Sequence, residues 1–104
     1  MSESPSPKPN HAPLIWIDLE MSGLDPDRCA ILEIACIVTD ADLVELGEGI
    51  DLVVHQPDEV LDAMDDWCTR HHGQSGLTAA VKASTLGLRA AELRTIDYLK
   101  RFAN

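Results

Sequence analysis

Residues 14–24 read Leu-Ile-Trp-Ile-Asp-Leu-Glu-Met-Ser-Gly-Leu, an almost wholly apolar run that carries two carboxylates near its end and then meets a glycine. Such a run predicts a buried β-strand. Because side chains alternate along a strand, Asp18 and Glu20 should share one face while Leu19 packs on the other. A divalent metal ion with oxygen ligands would neutralise the two carboxylates. Alternatively, both are solvated where the strand leaves the core, which is the commoner meaning of an isolated Asp-x-Glu.

The segments that follow predict an antiparallel meander. After a turn signal at 25–27, residues 30–39 are rich in β-branched side chains and predict a second strand. A third extended piece begins at 43–46, passes two glycines and resumes over 50–55. Connections this short suit antiparallel neighbours.

From Asp58 the apolar spacing changes to three and four residues, which predicts an amphipathic helix that Gly73 ends. One face of it would carry Val60, Leu61, Met64, Trp67 and Cys68. Periodicity alone favours Trp67 as a core residue. A short helix over 76–83 follows, then a final helix from about Arg89, whose apolar face would carry Ala90, Leu93, Ile96, Tyr98, Leu99 and Phe102. The expected class is α/β, with a three-stranded meander before about three helices.

Length and composition indicate one small domain. The chain has 104 residues, of which 45% are hydrophobic. Residues 1–12 alternate serine and proline at their start and predict a flexible leader, so that the domain would occupy 13–104. Neither a membrane-spanning run nor a secretory signal is visible, so we expect a cytoplasmic protein without membrane contacts. Three cysteines (29, 36 and 68) without a Cys-x-x-Cys pair predict reduced packing residues.

The formal net charge is −10, from 18 acidic and 8 basic residues. This balance argues against a protein that grips long nucleic acid through its phosphates. It argues less strongly against a short substrate, because few phosphates are then contacted and bound metal ions supply positive charge.

Several motifs in the same order and at nearly the same spacing resemble the oligoribonucleases, which belong to the DEDD group of 3'-to-5' exonucleases. The first is the run 14–26, closely similar to the family's first exonuclease motif. The others are Ile31-Leu-Glu-Ile-Ala-Cys-Ile-Val-Thr-Asp40, Val54-His-Gln-Pro57, Met64-Asp-Asp-Trp-Cys68, His72-Gly-Gln-Ser-Gly-Leu77 and Lys82-Ala-Ser-Thr85. Their ordered occurrence is specific, although each alone is weak.

The resemblance implies an RNase H-like α/β fold and hydrolysis of short oligoribonucleotides to mononucleotides by a homodimer. In that family four carboxylates hold two Mg²⁺ or Mn²⁺ ions, and a histidine acts as general base. Asp18 and Glu20 match the first two metal ligands. Leu24 and Trp67 match residues that flank the substrate bases, and His72 matches a phosphate-contacting histidine. An ordinary helix-end histidine is the alternative for His72.

The resemblance covers only the amino-terminal half, or somewhat more, of an oligoribonuclease. The family's remaining metal-binding aspartates and its histidine have no counterparts here, so we expect an incomplete fold in which strand one becomes an edge. Whether the chain is naturally shortened or a partial sequence stays open. Two other functions also stay open: a catalytically incomplete fragment that binds metal or short RNA or self-associates, and another DEDD exonuclease of the DNA-proofreading type. Glu33 is expected to be a hydrogen-bonded strand carboxylate outside the site.

Overall fold

The computed structural model describes residues 12–102, and the predicted leader lies outside this range except for its last residue. A three-stranded antiparallel sheet has the order β1-β2-β3, which confirms the predicted meander. Its strands are β1 (Leu14–Met21), β2 (Ile31–Thr39) and β3 (Ile50–Val53). The helices that follow are α1 (Asp58–Asp62), α2 (Asp66–Ser75), α3 (Leu77–Ala83) and α4 (Leu88–Lys100). No helix within residues 12–102 is long and apolar enough to cross a membrane.

The helices cover one face of the sheet, and the core lies between the two layers. Alternate side chains of β2 are buried there: Leu32, Ile34, Cys36 and Val38. Leu32 packs with Leu61, Leu77 and Val81, which join the sheet to α1 and α3. Ile34 packs with Val54 and Ala91, and Cys36 and Val38 pack with Tyr98, which anchors α4. All three cysteines are free, as predicted.

β1 is an edge strand of the described sheet, which confirms the edge position expected for strand one. It is exposed, so the prediction of a buried strand is wrong. Side chains on both of its faces are about half exposed, including Ile15 at 53%, Ile17 at 52% and Leu19 at 42%. Leu19 does point away from Asp18, but no helix covers it. The reason is topological, because β1 pairs only with β2 and the helices pack behind β2 and β3.

The predicted helix beginning at Asp58 is in fact two helices, so the described chain has four helices where about three were expected. α1 stops at Asp62, and Asp65 starts α2 as its N-cap: its carboxylate accepts a hydrogen bond of 2.8 Å from the Cys68 amide. This bond lowers the pKa of the Asp65 carboxyl. An aspartate that satisfies a free amide nucleates a new helix, even though the apolar spacing continues through it.

The ends and faces of the later helices also differ from expectation. α2 continues through Gly73 and ends at Gly76, whose φ of 85° is the left-handed cap that glycine favours. On α4 the buried side chains are Ala91 and Tyr98. The predicted face members Leu93 and Ile96 are 46% and 47% exposed. Each lies two residues from a buried one, or about 200° around the helix, and so points away from the sheet.

We expect Gly76→Ala to destabilise the protein and Gly73→Ala to leave it unchanged or more stable. A Cβ atom at either position meets nothing within 4 Å, so crowding is absent from both variants. At Gly76 the left-handed backbone penalises alanine by about 1–2 kcal/mol. At Gly73 alanine gains about 0.5–1 kcal/mol within a helix. Urea unfolding followed by circular dichroism measures both, and equal effects would contradict this end for α2.

Candidate active site

The face of the sheet opposite the buried β2 side chains carries four carboxylates. Asp18 and Glu20 lie on the same face of β1, as alternation predicts, and Glu20 is directly opposite Glu33 of β2. Asp18 is opposite Ala35, which in turn is opposite Asp51 of β3. Since directly opposed residues of antiparallel strands point to the same side, the four acids share one surface. We call this surface the acidic face.

Two members of the acidic face share a proton. The hydrogen bond between the Glu33 and Asp51 side chains, aided by burial, raises the pKa of Glu33 from 4.5 to about 7. The negative charges of Asp51, Glu20 and Asp18 raise it further in the same direction. Glu33 is therefore the hydrogen-bonded strand carboxylate that the sequence suggested. Its raised pKa also reflects the negative charges gathered on the acidic face.

A groove of about 500 Å³ lies between the acidic face and helix α2. It brings together three of the predicted site residues, Glu20, Trp67 and His72, with Glu33 and His71 beside them. Asp18 lies two residues before Glu20 on the same face of β1, and it lines a separate, mainly apolar depression. Glu20 therefore lines the groove, whereas Asp18 lies outside it.

His72 is buried and ties α2 to the end of β1. Its side chain is only 6% exposed, and its Nε2 atom donates a hydrogen bond of 2.9 Å to the Met21 carbonyl. The strand register slips between Glu20 and Met21, so this bond holds the chain at the irregularity next to Glu20. His72 therefore has a positioning role that its sequence context did not reveal.

Trp67 is exposed, which corrects the core position that periodicity favoured. Its side chain is 57% exposed and stacks on the His71 ring, with centroids 3.8 Å apart and planes 19° apart. The His71 Nδ1 atom lies 2.9 Å from the Trp67 carbonyl oxygen, which fixes the imidazole within the same helical turn. Sequence reasoning missed His71, although its spacing of four from Trp67 places the two rings on one side of a helix.

Leu24 does not line this groove. Its side chain is fully exposed on the loop between β1 and β2, beside a separate depression that also contacts Asp25, Arg28 and Asp65. The base of the loop is closed by Ser22, whose hydroxyl accepts a hydrogen bond from the Ala30 amide and whose own amide donates to the Ala30 carbonyl. Of the five predicted site residues, the structure therefore brings Glu20, Trp67 and His72 together in one groove, whereas Asp18 and Leu24 line other depressions.

The acidic face offers carboxylate oxygens, the ligand type that a hard divalent cation prefers, from two residues of β1. Within residues 12–102 no group of three or more His, Cys, Asp or Glu side chains is arranged to hold a metal ion. Asp18 and Glu20 supply carboxylate oxygens on one side of one strand. Mg²⁺ is commonly bound by one or two carboxylates while it keeps several waters. The donors fit one such ion, whose positive charge would offset the negative charges that also raise the pKa of Glu33.

Comparison with known proteins identifies relatives of the chain. The sequence model of the RNase_T family, described as exonuclease, matches residues 15–104. An oligoribonuclease of Pseudomonas paraeruginosa is 57% identical over 89 residues, which are 86% of this chain and 49% of that protein. An oligoribonuclease of Haemophilus influenzae is 58% identical over 89 residues, which are 86% of this chain and 49% of that protein. A mitochondrial oligoribonuclease of Bos taurus is 51% identical over 88 residues, 85% of this chain and 37% of its own length. The chain spans at most about half the length of these relatives.

We expect the free energy of unfolding to fall as pH rises from about 4.5 to 7. In this window the folded protein retains the Glu33 proton while the unfolded chain releases it, so unfolding releases a proton and a higher pH favours it. Above pH 7 the ionised Glu33 and Asp51 repel each other. Glu33→Gln should remove much of this slope, whereas Glu92→Gln on the exposed side of α4 should preserve it. Denaturant titrations from pH 5 to 8 in the presence of a chelator measure the slope, and a slope unchanged in Glu33→Gln would contradict the shared proton.

Proposed function

Because the chain belongs to the RNase_T exonuclease family, we propose that it is a metal-dependent 3'-to-5' exoribonuclease unit that hydrolyses short oligoribonucleotides to mononucleotides. The observation that carries the proposal is the placement of Asp18 and Glu20 on an open sheet face beside a groove that contains an exposed tryptophan. The relatives named oligoribonuclease favour this substrate class over the DNA of a proofreading enzyme.

In this proposal Asp18 and Glu20 bind Mg²⁺ or Mn²⁺ through their carboxylate oxygens. The bound ion would supply positive charge that lowers the pKa of water and offsets the charge of the scissile phosphate. His72 holds the chain next to Glu20 through the Met21 carbonyl and faces the groove, where the family resemblance assigns it a phosphate contact. The proton-sharing pair Glu33–Asp51 keeps one negative charge off the same face.

Trp67 is the proposed platform for a substrate base. Its indole has one face against His71, so the opposite face is available for stacking, which does not discriminate between bases. Leu24 is proposed to contact the bases as well. Since it lies in a different depression from Trp67, a base held by both would bridge the β1–β2 loop and α2.

The charge distribution supports a short substrate. His71 and His72 are the residues with basic side chains that line the groove, and the whole chain has a formal charge of −10. A long polyphosphate strand would gain little counterion release on such a surface. We also propose a cytoplasmic location and a homodimer, both from the family resemblance.

A second candidate function is a binding unit without turnover. It is favoured by the absence, within residues 12–102, of any third side chain that completes a metal site. The two candidates make the same prediction for metal binding and opposite predictions for hydrolysis.

We expect the chain to release mononucleotides from a labelled RNA dinucleotide with Mn²⁺, and Asp18→Ala to abolish this release. Asp97→Ala, which removes an exposed carboxylate from α4, is the matched control and should retain activity. Binding of Mn²⁺, followed by its electron paramagnetic resonance signal, should weaken in Asp18→Ala alone. Folded protein that binds Mn²⁺ without turnover would reject hydrolysis and support the binding unit.

We expect Trp67→Ala to weaken binding of a short oligoribonucleotide by about 1–3 kcal/mol, the worth of one stacked base. Leu93→Ala, which also removes a half-exposed apolar side chain, should have no effect because it lies on α4 away from the groove. Fluorescence anisotropy of a labelled trinucleotide in Ca²⁺ measures both. Equal affinity of Trp67→Ala and the unsubstituted protein would show that this indole does not stack on the substrate.

A further inference from the structure

Helix α2 carries two pairs of side chains spaced four residues apart, and the pairs face different ways. Cys68 and His72 are buried, and His72 bonds to the Met21 carbonyl at the end of β1. Trp67 and His71 immediately precede them, about 100° around the helix, and both are exposed in the groove. Within residues 12–102 the buried clusters of the core include neither ring. The position of the indole therefore depends on its neighbour in the next turn of the helix.

The His71 ring is fixed by a bond to the backbone of the residue on which it stacks. Its Nδ1 atom lies 2.9 Å from the Trp67 carbonyl oxygen. A carbonyl oxygen only accepts hydrogen bonds, so Nδ1 carries the proton and donates. The ring centroids are 3.8 Å apart and the ring planes differ by 19°, so the two rings are in full face contact. The imidazole is thus a fixed surface against which the exposed indole rests.

We propose that His71 is a positioning residue that holds the Trp67 indole ready to stack on a base. The inference rests on the proposed function, because the base is that of the short oligoribonucleotide. An exposed side chain loses rotamer freedom when a ligand immobilises it, and this loss weakens binding. Because His71 orders the indole beforehand, the free protein has already lost that freedom. His71 therefore raises the affinity for RNA without touching it.

His71 also decides which face of the indole receives the base. It lies one turn further along α2 than Trp67, so it covers the indole face turned toward the end of the helix. The other face is turned toward the start of the helix, where Asp65 lines the depression beside Leu24. His71 thus directs the base toward the second proposed base contact.

The first test measures the indole itself, without RNA or metal. The heteronuclear nuclear Overhauser effect of an indole N–H group reports motion on the picosecond-to-nanosecond timescale. We expect His71→Ala to lower this value at Trp67, and His71→Phe, which keeps a flat ring for stacking, to restore it. Trp16 is the internal reference, since its indole donates a bond of 3.0 Å to the Thr39 hydroxyl, and its value should stay unchanged.

Gln74→Ala is the matched control variant. Gln74 is an exposed polar residue of the same helix, and it does not line the groove. Its removal should leave the values at both tryptophans unchanged. Far-ultraviolet circular dichroism checks that every variant is folded.

The second test is the affinity for a labelled trinucleotide in Ca²⁺, measured by fluorescence anisotropy. His71→Ala should weaken binding about two- to tenfold, the effect of one side chain that must be ordered on binding. His71→Phe should bind nearly as tightly as the unsubstituted protein, and Gln74→Ala equally so. In a Trp67→Ala background, His71→Ala should have no further effect, because His71 acts only through the indole.

The two tests separate this inference from the proposed function. An unsubstituted protein that binds no RNA would overturn the proposed function and the stacked base with it, while the Overhauser effect would still decide whether His71 orders the indole. An unchanged value at Trp67 in His71→Ala would overturn the positioning role. So would a loss of affinity that persists in the Trp67→Ala background, since it would show a direct contact between His71 and RNA.

Discussion

The antiparallel pairing of β1 with β2 is the constraint on which the rest of the structure depends. It sets Glu20 opposite Glu33 and Asp18 opposite Ala35, and so decides that the carboxylates gather on the side away from the buried β2 side chains. A shift of one residue would turn both acids toward the core and bring Ile15, Ile17 and Leu19 to the acidic face. The core residues of β2, with those of the helices, hold this register because alternate β2 side chains are fully buried.

Concentrated negative charge follows from that register, and the molecule accommodates it in two ways. The hydrogen bond to Asp51 raises the pKa of Glu33 to about 7, so Glu33 is uncharged below that pH. Asp18 remains in contact with water, where solvation makes its charge inexpensive. The surface attracts cations, because each carboxylate that ionises makes the electrostatic potential at the others more negative.

The sequence could predict features that depend on neighbouring residues in the chain, but not those that depend on tertiary packing. Alternation on β1 and the meander follow from strand geometry, and the motif order identified the family. The split between α1 and α2 was missed because the apolar spacing runs through Asp65, whose capping bond outweighs it. Residue pattern alone gave the wrong burial for β1 and Trp67, because burial depends on what packs against a residue and periodicity gives only its direction. The family resemblance, by contrast, implied an edge position for β1 and a base contact for Trp67. The bond from His72 to Met21 joins residues 51 apart in sequence, a distance that no local pattern spans.

Stability and chemistry meet on β1, since the strand that carries the candidate metal ligands has, within residues 12–102, a paired neighbour on one side alone. A strand held on one side only is free to fray, and fraying would separate Asp18 from Glu20. The bond from His72 to the Met21 carbonyl restrains the end of the strand near Glu20, and the bond of 3.0 Å from Trp16 Nε1 to the Thr39 hydroxyl fastens its beginning to β2. Any strand that pairs with the open side of β1 would order Asp18 from that side. Coverage of the edge and affinity for a cation should therefore rise together, because both favour the same ordered conformation of one strand.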